Sequence, residues 1–405
     1  MSQVVSQKFF INDPIGAQDR EAIAAAAKLL FCNPTTEQKI FKPTVDVAYL
    51  EALAKQIKLG CKHLVIIGTG ASSNIPRILF SLRRTKEFRV HFLEDADTSK
   101  FENLISQLEP SSTKFLVITK SGKTIEILAL LSLCLNWAEA NLPLSDLGQR
   151  FYFITAQNKN NPVLDIAKKL KAVTIDHPAL SGRYSFFSPV GLLPAALAGF
   201  DTALILSHAT QCIDNLFTES SWILEGATYL YAMSKKYHNA VFMTYNISFH
   251  GLGLYLRQLI SESLGKDGQG LNPVMFEGNI DQHSQLQSYL AGLSDKFFTV
   301  FVPGINLVNN NNYIDSSLVS LSYLKGKTLA DINQLQINTV VELLRKAKKN
   351  IRIIEVTNFN EKFIAEIVIS FIVETILYAK LNAIDPFTQT SIDCMKLAVI
   401  EAVTV

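Results

Sequence analysis

Short apolar runs separated by longer amphipathic stretches recur along most of this chain, and that alternation restricts the fold more than any other feature. "HLVIIG", "FRVHFLE", "TKFLVIT", "RFYFIT" and "AVTID" are rich in β-branched and aromatic residues and too short for typical helices. Such runs, each followed by a helical segment, predict parallel strands covered by helices. The pattern pauses over a loop and helix region from His177 to about Thr218, then resumes with "NAVFMTYN", "FFTVFVPG" and "NIRIIEVT". Long amphipathic helices are expected over Thr328 to Lys349 and Glu361 to Leu381. Two α/β units, residues 46–205 and 206–405, fit better than one large sheet, with the C-terminal helices in the second. Residues 1–45 carry no clear strand signal and are expected to form a helical arm. "VGLLPAALAGFDTALIL" contains Pro194 and Asp201, which favours a buried helical segment over a membrane span, and "NLVNNNNY" at Asn306 to Tyr313 reads as a polar loop.

Two of the predicted strands end in turns with specific chemistry. The first runs into "GTGASS", where Gly68 and Gly70 allow a tight turn and close backbone approach, and Ser72 with Ser73 is expected to cap a helix through Leu82. The second, "TKFLVIT", runs into "KSGKTIE", placing Lys120, Ser121, Gly122, Lys123 and Thr124 at the start of another helix. Unpaired N–H groups and the positive dipole end at each helix start favour an anion. At the carboxyl ends of neighbouring parallel strands, the two turns would face each other across a ligand crevice. Neither reads G-x-x-x-x-G-K-[ST], and "GTGASS" lacks the third glycine of a dinucleotide fingerprint. A compact phosphate monoester suits the hydroxyl-rich loop better than a nucleoside triphosphate or NAD.

Charge narrows the partner class further. The 38 basic and 36 acidic side chains leave a formal net charge of +2, which gives no sign of nucleic acid or a membrane as partner. Five widely spaced cysteines without a C-x-x-C pair suit a reducing cytoplasm without structural zinc, and the first residues lack a signal-peptide pattern.

"IGTGASSNIP", "ITKSGKTIE", "SGRYSFFSPVGLLPAALAG", "ESLGKDGQGLNPV", "DQHSQLQ" and "DPFTQTSIDCMK" follow one another over roughly residues 60 to 400. In these segments and their order the chain resembles the glucose-6-phosphate isomerase family; "SGRYSFFS" and "DPFTQTSIDCMK" are the specific ones. The resemblance implies two sugar-isomerase-type (SIS) domains, each a parallel sheet flanked by helices, in a cytoplasmic homodimer with shared active sites. It implies interconversion of glucose 6-phosphate and fructose 6-phosphate through a cis-enediol, in glycolysis and gluconeogenesis, without metal or organic cofactor. It places Gly70, Ser72, Thr119, Lys120, Ser121, Thr124 and Gln389 in substrate binding, and Arg183, Glu262, His283 and Lys396 in catalysis, His283 reaching the partner subunit's site. Ala71 stands where the family usually has glycine, and Thr388, Thr390 and Ser391 depart from the pattern around Gln389.

The residue types suit aldose–ketose isomerisation. Moving a carbonyl between C1 and C2 needs a base that removes a proton beside the carbonyl and returns it to the neighbouring carbon, which a carboxylate such as Glu262 can do. Glu277 in "MFEGNIDQH" is the alternative base. Arg183 can stabilise the charge developing on oxygen, while His283 and Lys396 can assist ring opening. Each has a plainer reading: Glu262 paired with Arg257 or Lys266, Arg183 tying its loop to carbonyls, His283 structural, Lys396 solvated. A non-catalytic sugar-phosphate-binding regulator is the rival function. It would not need the arginine, carboxylate, histidine and lysine together. An isomerase coupled to amination would need a glutamine-hydrolysing segment, and none is evident.

Overall fold

The computed structural model describes residues 4–32, 38–41, 43–83, 85–217, 221–304, 307, 313–315 and 321–404; most of the polar loop expected at Asn306 to Tyr313 lies outside them. Ten strands form among the described residues: β1 (Val5–Phe10), β2 (His63–Ile67), β3 (Arg89–Leu93), β4 (Thr113–Ile118), β5 (Phe151–Thr155), β6 (Val173–Asp176), β7 (Asn239–Thr244), β8 (Asn272–Glu277), β9 (Lys296–Pro303) and β10 (Ile351–Val356). They make two sheets of five, and the chain divides into two compact units built around them.

One unit comprises Thr36–Leu206 and Phe387–Val405. Its sheet runs β3-β2-β4-β5-β6 with every pairing parallel. All residues of β4 and β5 are buried, which explains why, Thr113 and Lys114 apart, they read as apolar runs without alternation. Phe115 and Phe151 oppose each other across that pair and stack at 4.5 Å. Val65, Ile67, Val117 and Phe153 meet Ile127, Leu131 and Cys134 of the helix Ile125–Glu139 in one core. The helix Pro189–Leu197 has eight buried residues, as "VGLLPAAL" suggests.

The other unit comprises Met1–Thr35 and Ser207–Pro386. Its sheet runs β1-β10-β9-β7-β8, parallel except for β1, which lies antiparallel to β10 with Val5 opposite Val356. A purely helical arm over residues 1–45 is therefore incorrect, although Ala17–Cys32 is helical. β1 reads VSQKFF, with three polar residues in a row and no alternation, and as a short edge strand it passes for a loop. β8 also escapes a reading of pattern, since Pro273 lies within it; at the other edge, a missing N–H is tolerated. The helix Leu329–Lys346 opens on a capping box between Thr328 and Asp331, and Glu361–Leu381 is buried along most of its length. Beneath it Arg352 and Glu374 form a two-bonded ion pair at 2.8 Å, each side chain 1% exposed. Neither unit is contiguous in sequence: the last helix, Thr390–Thr404, falls with the β2–β6 sheet.

Candidate functional site

In the first unit the strand order reverses between β2 and β4, because β3 returns to one side of β2 and β4 pairs on the other. The connections that follow β2 and β4 thus leave on opposite sides of the sheet and open a crevice at the carboxyl ends, the usual ligand position in such folds. Both glycine turns lie there. Gly68 is needed for close approach: a Cβ would come 2.9 Å from the Ser72 Cβ and 3.1 Å from the Ile118 carbonyl oxygen at the end of β4. Gly70, with φ at 59°, is the N-cap of the helix Ala71–Leu82, which has no side-chain cap. The expected serine cap is therefore wrong. Ser73 instead donates to Glu94, whose carboxylate is also paired with Arg77 at 2.8 Å, and Ser72 stays half-buried at the helix start. A glycine cap leaves the first N–H groups unclaimed by a side chain.

The second turn is held on two sides. Thr119, buried after β4, donates its N–H to the Ile154 carbonyl, and the Ala156 N–H donates to the Lys120 carbonyl. Ser121 accepts from the Lys123 N–H at 3.2 Å, and Gly122 turns with φ at 63°. Thr124 is the N-cap of Ile125–Glu139, again without a side-chain cap bond, so the first-turn N–H groups face the loop. Packing around Lys120 lowers the pKa of its ammonium, against the opposing pull of Asp393. His177, 2% exposed at the end of β6, has its pKa lowered by burial, with the Lys120 charge acting in the same direction and the Pro178 carbonyl, 2.9 Å from Nδ1, opposing it.

Arg183 sits in the short turn Gly182–Tyr184, and Gly182 packs so near the first turn that a Cβ would lie 3.4 Å from the Ala71 Cβ. Its guanidinium is wholly buried. Nη1 donates to Ser181 Oγ at 2.8 Å and Gln389 Oε1 at 3.0 Å, and Nη2 donates to the Thr388 carbonyl at 2.8 Å. Gln389 in turn donates to Asp393 at 3.2 Å. The anchoring reading of Arg183 is therefore part of the answer: it ties its loop to the C-terminal segment. Lys396, half-buried on that segment, lines a cleft with Lys123, Thr124, Glu126 and Met395 at the start of the anion helix. Gly70, Ser72, Thr119, Lys120, Ser121, Thr124, Arg183, Gln389 and Lys396 thus all belong to one unit.

Glu262 and His283 belong to the other unit. Glu262 is half-buried near the end of the helix His250–Leu264 and accepts from Gln258 Nε2 at 2.9 Å. Glu277 ends β8 and is exposed; His250 Nδ1 lies 2.6 Å from its Oε1 without the alignment of a hydrogen bond. His283 is exposed in the turn after Gly278–Asp281, with its backbone N–H on the Ile280 carbonyl. Gln258 is not singled out by the sequence, although its i, i+4 spacing from Glu262 puts both on one helix face. Among the described residues, no group of three or more His, Cys, Asp or Glu side chains is arranged to hold a metal ion, and no helix is long and apolar enough to cross a membrane.

Comparison with known proteins gives the family and the fold. The glucose-6-phosphate isomerase of Rubrobacter xylanophilus is 29% identical over 374 residues, covering 86% of this chain and 84% of that one. The crystal structure of a hypothetical protein from Thermus thermophilus superposes with a TM-score of 0.86 at 24% identity, covering 96% of both chains. Tagatose-6-phosphate ketose/aldose isomerase from Escherichia coli shares the fold at a TM-score of 0.53 and 15% identity, covering 92% of this chain and 95% of that one, so the two sheets are those of sugar-isomerase-type α/β units. The phosphoglucose isomerase family model matches residues 48–277, more than half of the sequence, from before β2 to the end of β8. The chain belongs to the phosphoglucose isomerase family.

Proposed function

We propose that this protein interconverts glucose 6-phosphate and fructose 6-phosphate by proton transfer through a cis-enediol. The observation that carries the reading is the meeting, at the ends of β2 and β4, of two uncapped helix starts with Lys120 and a buried, fixed Arg183. Ser72, Thr119, Lys120, Ser121 and Thr124 hold the phosphate through hydroxyls, backbone N–H groups and one ammonium. Anchoring of the Arg183 guanidinium by Ser181, Thr388 and Gln389 fixes its position before the reaction begins. A preorganised cation of this kind stabilises oxyanion charge in the enediolate without reorganisation. Glu262 takes the C2 proton and returns it to C1, with Gln258 holding the carboxylate in one rotamer. Lys396 and His283 assist ring opening, and His283 does so in the partner subunit of a homodimer.

The test is exchange of the C2 proton of glucose 6-phosphate with solvent, followed by NMR beside a coupled assay from fructose 6-phosphate. Glu262→Gln is expected to abolish exchange and turnover while substrate still protects the protein against thermal unfolding; Glu277→Gln should retain most of both. The reverse ranking moves the base to Glu277, and wild-type protein that binds without turnover is the sugar-phosphate regulator instead. Mixing inactive Glu262→Gln and His283→Ala homodimers under proven subunit exchange should restore about a quarter of wild-type sites, because half of the dimers are mixed and each carries one intact site. No recovery would remove His283 from a shared site.

A further inference from the structure

Asn161, 39 residues along the chain from Gly122 (161 − 122), is buried to 1% exposure at the start of the helix Pro162–Lys169. Its Oδ1 accepts from the Leu164 N–H at 3.2 Å, the bond that an N-cap makes. Capping alone would be served equally well by serine or aspartate. The amide nitrogen does more: it donates to Thr155 Oγ1 and to the Ala156 carbonyl, both at 2.8 Å, fixing the side chain against the end of β5. So fixed, it fills the space beneath the phosphate loop. A Cβ on Gly122 would lie 1.7 Å from Asn161 Oδ1 and 2.7 Å from its Cγ, so the loop backbone rests directly on the amide. The same turn grips the loop elsewhere, since the Ala156 N–H donates to the Lys120 carbonyl at 3.2 Å.

We infer that Asn161 is a positioning residue for the substrate phosphate: it is the template on which Gly122 turns, and it sets where the N–H and hydroxyl groups of Ser121 to Thr124 point. The inference rests on the reading of that loop as the phosphate site. Asparagine alone among the usual capping residues suits the position, because aspartate lacks the two donors and serine is too short to reach Gly122. The template touches neither the sugar carbons nor the base, so its loss should weaken phosphate recognition far more than the chemical step.

The experiment compares Asn161→Ser, which keeps a capping oxygen, with Gly122→Ala, the double variant and Ser121→Asp. For each, KM and kcat with fructose 6-phosphate, the inhibition constant of inorganic phosphate, and the thermal midpoint are measured. Asn161→Ser is expected to raise KM and the phosphate inhibition constant together by about tenfold, with kcat falling far less. Gly122→Ala should raise both further through the clash and its positive φ. In the double variant the alanine should cost several-fold less than it does alone, because the obstructing amide is gone. If Asn161→Ser shifts only the midpoint while Ser121→Asp raises both constants, the template is refuted and the phosphate site stands. Independent effects of Asn161→Ser and Gly122→Ala also refute it. If Ser121→Asp leaves both constants at wild-type values, the phosphate reading fails and the inference falls with it.

Discussion

Replacing Arg183 by lysine keeps the charge and removes the fork, which separates what the cation does from what its geometry does. In the native structure Nη1 and Nη2 serve three acceptors on Ser181, Thr388 and Gln389 at 2.8 to 3.0 Å. A lysine ammonium on a flexible stem can keep one of these and leaves at least two without their donor. Hydrogen bonds to a charged group contribute about 1.5–3 kcal/mol each. Thr388 is exposed and Gln389 half-buried, so water can reach both and the low end of that range applies, about 3 kcal/mol for two bonds. Those bonds exist in the free protein, so their loss is read in unfolding; kcat/KM falls because the cation is no longer held ready for the transition state, by about the 10²-fold that loss of one oxyanion donor costs.

The assay is steady-state turnover from fructose 6-phosphate, with urea unfolding measured on the same preparations. We expect kcat/KM to fall by about two orders of magnitude, unfolding to lose about 3 kcal/mol, and the phosphate inhibition constant to change little. Gln389→Ala, which removes a single acceptor, should give a smaller loss of the same kind. Folded Arg183→Lys protein with kcat/KM within about twofold of wild type would show that neither the fork nor its anchoring matters to the reaction.

Two further outcomes concern the scaffold. Glu374→Ala leaves Arg352 charged and buried with its carboxylate gone, and should cost about 3–5 kcal/mol in urea unfolding, much of it recovered when Arg352→Met is added; a loss below about 1 kcal/mol would contradict the pairing. On β2 and β3, His63 Nδ1 and His91 Nε2 lie 3.0 Å apart, and burial, with the neighbouring His63 and Arg89, lowers His91 to about 4. The unfolded chain therefore takes that proton first, so this part of the stability is complete above about pH 6.5 and is lost as pH falls toward 4, at up to about 1.4 kcal/mol per pH unit. His91→Gln should flatten the dependence of unfolding free energy on pH over that window, and an unchanged slope would show that His91 does not carry it.

What the sequence disclosed and what it hid follow from how each feature is encoded. β4 and β5 were legible because a strand buried on both faces is mostly apolar, and such runs leave few other readings; Lys114 of β4 is the exception, its ammonium donating to the Gln56 carbonyl. β1 and β8 lie at sheet edges, where polar residues and a proline such as Pro273 are allowed, so the signal that reveals a strand is missing. The two strand–turn–helix junctions were legible for a similar reason: strand, glycine turn and helix start are consecutive in one short segment. Even there residue type alone points to the wrong cap. Gly70 with its positive φ starts the helix, and Ser73 turns away to Glu94, a partner that only the β3 connection brings near.

Arg183 shows the limit more sharply. Its residue type and setting made it a candidate, but beside the local Ser181 the acceptors that hold it come from Thr388 and Gln389, which a local reading treats as the end of another unit. Asn161 lies beyond that limit. In sequence it is an asparagine before a proline at a helix start, indistinguishable from any N-cap. Its second contact exists because β4 and β5 are neighbours, which carries the turn after β5 beneath the loop after β4. Gly122 is the one local trace, a glycine in a loop where hydroxyls would serve an anion better, and its reason becomes visible only when the amide filling its missing Cβ is seen. Residues that touch a substrate tend to announce themselves by their chemistry; residues that hold those in place are set by topology, and they become readable at the point where the sheet order is known.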